Sequence, residues 1–171
     1  STPEEDDLLF VIKLKEGGRA SQWIAQPLPI GTEVRMQGPL GNFMLDTATD
    51  KEYVFVCTST GNAPFRSMAK HALEAGDTRR MDLIFGVRSE EDLVWLDEFG
   101  ALAEQYDNFY FHPSLTQPPE GWAGGTGRVQ TLFDDFIDDY ATKKVYVCGN
   151  PNMTTEVKKP VSYTHLTLPT T

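Results

Sequence analysis

The sequence predicts an α/β fold in which a parallel β-sheet carries helices on both faces, preceded by a shorter segment of antiparallel strand character. Three observations lead there. From residue 53 onward strand and helix patterns alternate, the order that builds parallel sheets. The strand runs in that region are continuously apolar, as in YVFVC (53–57), MDLIFGV (81–87) and KVYVC (144–148), which marks strands buried on both faces. Residues 32–37 instead alternate polar and apolar, as a half-buried antiparallel strand does.

Taken in order, residues 8–14 form a strand that Gly17-Gly18 breaks, and residues 19–25 form one or two helical turns ended by Pro27 and Pro29. Residues 32–37 are a strand, 38–41 a turn, 43–45 a short return strand, and 46–52 a polar linker. After the strand at 53–57, a helix spans 64–75 and stops at Gly76, which suits the left-handed position past a helix end. The strand at 81–87 follows, then a helix over 93–106 with Leu93, Leu96, Phe99 and Leu102 on one face. A strand at 109–112, an amphipathic helix at 129–140, the strand at 144–148 and a final helix at 150–159 complete the alternation.

The 171 residues suit one full α/β domain with a fragment of a second. A formal net charge of −10 argues against nucleic acid or an anionic membrane as partner, because both carry the same sign. No eighteen-residue apolar run exists, so no membrane span is expected. No signal-peptide pattern opens the chain. Two cysteines, Cys57 and Cys148, are too few for a disulfide framework, and a cytoplasmic protein is expected. His71 and His112 have no ligand-spaced partners, and no metal site is expected. The acidic clusters Glu90-Glu91-Asp92 and Asp134, Asp135, Asp138 and Asp139 suit solvated helix faces.

The strongest local signal is Cys57-Thr58-Ser59-Thr60-Gly61-Asn62-Ala63-Pro64-Phe65-Arg66-Ser67-Met68. A buried strand ends, small residues turn tightly, and proline stands in the first helical turn, where its missing N–H costs nothing. The amides at such a helix start, together with the hydroxyls of Thr58, Ser59 and Thr60, suit a pyrophosphate. An ordinary strand-to-helix turn is the alternative for this segment alone.

The segment resembles the G-T-G-x-A-P-F-R-S-M loop of the ferredoxin–NADP reductase family. Thr60, Gly61, Ala63, Pro64, Phe65, Arg66, Ser67 and Met68 match it, while Ser59 replaces the first glycine and Asn62 an aliphatic residue. Three further segments fall in family order. Gly86 to Leu93, with Arg88, resembles the exit of the second strand. Ser114, Trp122, Gly124, Gly127, Arg128 and Val129 resemble the S…W-x-G-x-x-G-x-V stretch. Cys148-Gly149-Asn150-Pro151-Asn152-Met153 resembles the C-G-x-P-x-M motif. The resemblance implies a Rossmann-like NAD(P)-binding domain at residues 47–160. It also implies that Thr58, Ser59, Thr60, Gly61, Ala63, Pro64, Arg88, Ser114, Arg128, Cys148, Gly149, Pro151 and Met153 contact NADPH or NADH. Cys148 would position the nicotinamide sterically, not as a nucleophile.

It implies, too, that residues 1–46 are part of a flavin-binding antiparallel β-barrel. Gly18-Arg19-Ala20-Ser21 resembles the family's G-x-x-S element, which holds the FAD diphosphate, and Gly38 to Phe43 follows at the family's spacing. The family's R-x-Y-S motif would precede Ser1. The implied activity is hydride transfer between NAD(P)H and FAD, with electrons exchanged with a ferredoxin, flavodoxin or oxygenase component. An NADH-dependent reductase component of an oxygenase, and a nucleotide-binding module without turnover, are the alternatives. Arg88 and Arg128 sit where some members use arginine on a 2′-phosphate, but the choice of nucleotide stays open. Residues 161–171 (VSYTHLTLPTT) have neither helical period nor turn. They match one reading frame of a common sequencing adapter, so a foreign tail is expected, with a disordered native tail as the alternative.

Overall fold

Five strands form one parallel sheet: β1 (Glu52–Thr58), β2 (Met81–Val87), β3 (Phe109–Leu115), β4 (Gly125–Thr126) and β5 (Lys143–Cys148), in the order β4-β3-β2-β1-β5. The computed structural model describes residues 1–26 and 29–161, with the side chains of Asp134 and residues 158–161 excepted. All but the first residue of the expected tail therefore lies outside the described residues. The helices are α1 (Arg19–Ile24), α2 (Ala63–Glu74), α3 (Leu96–Gln105), α4 (Val129–Phe136) and α5 (Pro151–Val161).

The apolar runs become strands buried on both faces because each face meets a helix layer. In β1, Tyr53, Phe55 and Cys57 join α2 and α3 in one core, with Phe65, Leu73, Phe99 and Leu102. Val54 and Val56 point the other way and join α4 and α5, with Val129, Phe133, Met153 and Val157. This is the two-residue alternation of a strand expressed on two buried faces. The first core is aromatic: Phe55 lies 5.0 Å from Phe65 and 5.6 Å from Tyr146, ring centre to ring centre.

The junction before β1 is pinned at Asp46. Its N–H donates to the Tyr146 hydroxyl (2.8 Å), its carbonyl accepts from the Tyr53 hydroxyl (2.9 Å), and its carboxylate pairs with Lys144 (2.9 Å). Burial pushes the Tyr53 phenol up to about 12, so it stays a donor. Phe43 packs edge-on against both Phe65 and Tyr146.

Several boundaries differ from the sequence expectation. The helix expected at 93–106 starts at Leu96, because Trp95 adopts φ +64 and a 3-10 turn occupies Glu90–Asp92. Leu93 and Trp95 serve the core from outside the helix. β3 runs past 112 to Leu115; Pro113 is tolerated because it pairs with β2 but has no partner on β4. α4 stops at Phe136, where Ile137 turns extended and the Asp139 side chain accepts from the Ala141 N–H to close a separate turn. β4 was not expected; two residues carry no period. Residues 8–14, 32–37 and 43–45 were expected as strands, yet among the described residues they join no ladder. A strand exists only through its partner, and Leu8, Phe10, Val34, Met36 and Met44 stand exposed instead of packed.

Candidate functional site

Chain direction across the sheet reverses at β1. β2 and β3 build outward on one side, whereas β5 lies on the other. The carboxyl ends of β1 and β5 therefore flank a crevice of the kind in which open α/β sheets bind ligands. Thr58 ends β1, a 3-10 turn spans Ser59–Asn62, and α2 begins at Ala63 with Pro64 in its first turn. Ser59, at the position of the family's first glycine, adopts φ +53, where a side chain is strained. Asn62 is fully buried; its amide donates to the Val94 carbonyl (3.0 Å), and its Oδ1 has no donor among the described residues.

The two strand tips interlock. A β-carbon on Gly61 would stand 2.3 Å from the Cys148 carbonyl oxygen, so only glycine lets the loop approach β5. Gly149 has φ +146, and a β-carbon there would meet the Thr58 hydroxyl at 2.3 Å. The same hydroxyl accepts from the Asn150 N–H (2.9 Å). Thr58 thus ties the loop after β1 to the start of α5.

Beside these tips lies a cavity of about 350 Å³. Of the residues expected from the sequence to contact the nucleotide, Thr58, Ser59, Arg88, Arg128 and Met153 line it. Gly61, Cys148 and Gly149 stand just behind Thr58 in the interlocked tips, and Pro151 opens α5. Arg88 is oriented by its Nε donating to Gln117 (2.9 Å). Arg128 precedes α4 directly after Gly127, whose φ of +119 makes the turn. Ser114 is buried, and its hydroxyl donates to the Gly127 carbonyl (2.9 Å). It therefore shapes the Gly127-Arg128 turn and does not face the cavity. Lys13 lines the cavity as well and was missed from the sequence, where a lone lysine in an apolar stretch carries no signal. Among the described residues, Asp92 is the one carboxylate lining the cavity.

Cys148 is half-buried, and burial raises its thiol above the ordinary range. Cys57 pairs with it in register across β1 and β5. Burial first, and Cys148 second, push the Cys57 thiol well up. Neither is poised as a thiolate nucleophile. The Gly18-Arg19-Ala20-Ser21 element opens the six-residue α1 with Gly18 at its N-cap, and none of the four lines the cavity. The Ser21 hydroxyl accepts from the Lys15 N–H (2.8 Å). His71 lies 2.8 Å from Glu4 and His112 2.9 Å from Asp82. Among the described residues no His, Cys, Asp and Glu cluster could hold a metal ion, and no helix is long and apolar enough to cross a membrane.

Comparison with known proteins turns this geometry into a family. Residues 55–159 match the model of the oxidoreductase NAD-binding domain. The chain belongs to that family. Residues 1–45 match the oxidoreductase FAD-binding domain, and with both matches this member of the NAD-binding domain family stands among the ferredoxin–NADP reductase-like flavoenzymes. It is 33% identical over 152 residues to the reductase component of phenol 2-monooxygenase from Pseudomonas sp. (strain CF600), covering 86% of this chain and 43% of that protein. It is 32% identical over 150 residues to ferredoxin–NADP reductase B of Sorangium cellulosum (strain So ce56), covering 84% and 61%. The crystal structure of the Amycolatopsis reductase GcoB superposes with a TM-score of 0.81 at 29% identity, covering 91% of this chain and 48% of that one. The chain spans about half the length of the curated relatives it matches.

Proposed function

We propose that the chain forms the nucleotide-binding end of a flavin-dependent oxidoreductase that moves hydride between NAD(P)H and FAD and exchanges electrons with a ferredoxin, a flavodoxin or an oxygenase component. The observation that carries this reading is the interlocked pair of strand tips, where Gly61 and Gly149 admit close backbone approach beside a cavity lined by Lys13, Arg88 and Arg128. A dinucleotide needs that combination: amides at a helix start for the pyrophosphate, and cations for its remaining phosphate charge. The nicotinamide and flavin supply the hydride chemistry when bound. The chain's own residues bind and orient. Thr58 to Gly61, with Ala63 and Pro64 at the start of α2, hold the pyrophosphate. Arg88 and Arg128 face the adenosine side, and Ser114 sets the turn that presents Arg128. Cys148, Gly149, Pro151 and Met153 form the wall against which the nicotinamide rests, with Cys148 acting by shape. Gly18 to Ser21 fit the FAD diphosphate as a glycine turn leading into a helix. Two facing thiols support a reducing cytoplasm as the compartment.

Two relatives support this choice of carriers, one a ferredoxin–NADP reductase and the other a reductase component of a monooxygenase. The test is to express the native gene extended at both ends and titrate the purified protein anaerobically with NADPH and NADH. The expected result is a yellow flavin spectrum bleached by one or both nucleotides. A colourless protein that oxidises neither would overturn the reading and favour a binding module without turnover.

A further inference from the structure

Arg66 joins three separate pieces of the chain, and the proposed reaction uses none of its contacts. Its side chain is 8% exposed. Nη1 and Nη2 donate to the two carboxylate oxygens of Glu5 at 3.1 and 3.0 Å, a forked contact. Nε donates to Glu98 at 2.8 Å and Nη2 pairs with the other Glu98 oxygen at 2.7 Å, so Nη2 is shared between the two carboxylates; the guanidinium lies over the Trp95 ring at 5.2 Å. Glu98 belongs to α3, but Glu5 lies in the segment that matches the FAD-binding domain. That segment is held at more than one point. The Ser67 hydroxyl donates to the Ser1 carbonyl (2.7 Å), Lys70 pairs with Glu5 (3.0 Å), and His71 lies 2.8 Å from Glu4.

A buried guanidinium needs a counter-charge, and Glu98 alone would supply one from within the nucleotide unit. The second carboxylate comes from the other unit and is gripped by both terminal nitrogens. A planar fork of that kind specifies direction as well as distance, which a lysine ammonium does not. On its other side Arg66 rests on Trp95, the residue after Val94, whose carbonyl holds the Asn62 side chain in the loop at the cavity. A continuous set of contacts thus runs from Glu5 through Arg66 and Trp95 to Asn62.

We propose that Arg66 is a positioning residue whose forked pair with Glu5 sets the FAD-binding unit against the nucleotide loop, so that the clamp governs alignment of the two cofactors and not nucleotide affinity. This rests on the dinucleotide site argued above. The test uses the flavin-loaded full-length reductase with Glu5→Gln, Arg66→Lys, their double variant, and Glu98→Gln, which touches the same arginine from the nucleotide unit only. Four quantities are read: the limiting rate of flavin reduction in single turnover, the nucleotide Kd, the charge-transfer absorbance of the reduced enzyme with oxidised nucleotide, and hydrogen exchange of the amides of residues 1–7.

In Glu5→Gln and Arg66→Lys the limiting rate falls about tenfold or more, because small misplacements of reacting groups are costly. Their Kd stays within about twofold, the signature of an interaction that acts on the reaction and not on ground-state binding. The long-wavelength charge-transfer absorbance of the reduced enzyme with oxidised nucleotide weakens in the same variants. The double variant is no worse than the more damaged single variant. Residues 1–7 exchange faster in Glu5→Gln while β1 does not, and Glu98→Gln changes the rate much less. A Glu5→Gln enzyme with unchanged limiting rate and unchanged exchange overturns the proposal, as does a rate loss matched by an equal loss of affinity. Should the unaltered enzyme oxidise neither nucleotide, the proposed function fails, while the exchange measurement still decides whether the clamp exists.

Discussion

Single residues at the strand tips set what the loop after β1 can do. Gly61 is required by contact with backbone, because the atoms a β-carbon would meet are the Cys148 carbonyl and the Gly149 α-carbon. Backbone in a buried strand cannot swing aside as a flexible side chain can. Gly61→Ala is therefore expected to lose at least about 2 kcal/mol in urea unfolding and to weaken nucleotide binding, which a fluorescence titration reads. Ser59 is the opposite case. It takes a glycine's conformation with a side chain, at a strain of about 1–2 kcal/mol. Ser59→Gly removes that strain but loosens the unfolded chain by about 0.5–1 kcal/mol. The expected outcome is equal or slightly higher stability with nucleotide binding intact or tighter. A marked loss of binding would show that the hydroxyl, not the backbone amide, holds the ligand. The glycine pattern and the Pro64 start were legible in the sequence. The strain at Ser59 was not, since φ is a property of the folded loop.

Among the elements, β2 carries a charge where a central strand should be apolar. Asp82 is 1% exposed and pairs with Arg80. Burial by itself would raise its carboxyl, but donation from His112 (2.9 Å) and Arg80 (2.8 Å) outweighs burial and holds it below the ordinary carboxylate range. The sequence shows MDLIFGV but does not say which residues face Asp82; that follows from the β2–β3 register and from Arg80 folding back over Tyr110. A carboxyl depressed in the folded state stabilises the fold above its unfolded value near pH 4, and this stabilisation is lost as pH falls through that value toward the folded one. Asp82→Asn should accordingly cost about 2 kcal/mol at pH 7. The gap between variant and parent in urea midpoint should narrow below about pH 4, where the carboxyl of the unfolded parent takes up its proton before that of the folded parent. A gap that stays constant with pH would mean that shape, not charge, matters there. The α4 and α3 boundaries belong to this scale as well. Amphipathic period located both helices, but Trp95 starts α3 late and Ile137 ends α4 early through backbone angles that no periodicity encodes.

Across the whole molecule, charge is arranged against its own average. The chain carries −10, yet among the described residues the charged side chains lining the cavity are Lys13, Arg88 and Arg128 against Asp92 alone. An anionic ligand is thus repelled by the molecule as a whole and attracted at the site, and the local contacts prevail because distant charges are screened within about 10 Å at 0.1 M salt. Arg88→Gln and Arg128→Gln should each weaken NADPH about tenfold or more, the value of a lost charge-assisted contact, with a smaller effect on NADH, which lacks the 2′-phosphate. Equal losses for both nucleotides would place the arginines on the pyrophosphate instead. Lys13→Gln should weaken both and flatten the dependence of Kd on salt, because Lys13 reaches the cavity from the other matched unit. By itself the sequence determined the alternation of buried strands and helices, the two-faced parallel sheet, and the order of the motifs after β1, β2 and β5. These follow from local period and from short spacings along the chain. Only the tertiary structure decided which of those motifs share a cavity, that Ser114 supports the wall without facing the cavity, that Lys13 joins the site, and that Glu5 closes on Arg66. Those are contacts between segments tens of residues apart, and they depend on strand order, register and loop angles that no short stretch of sequence carries.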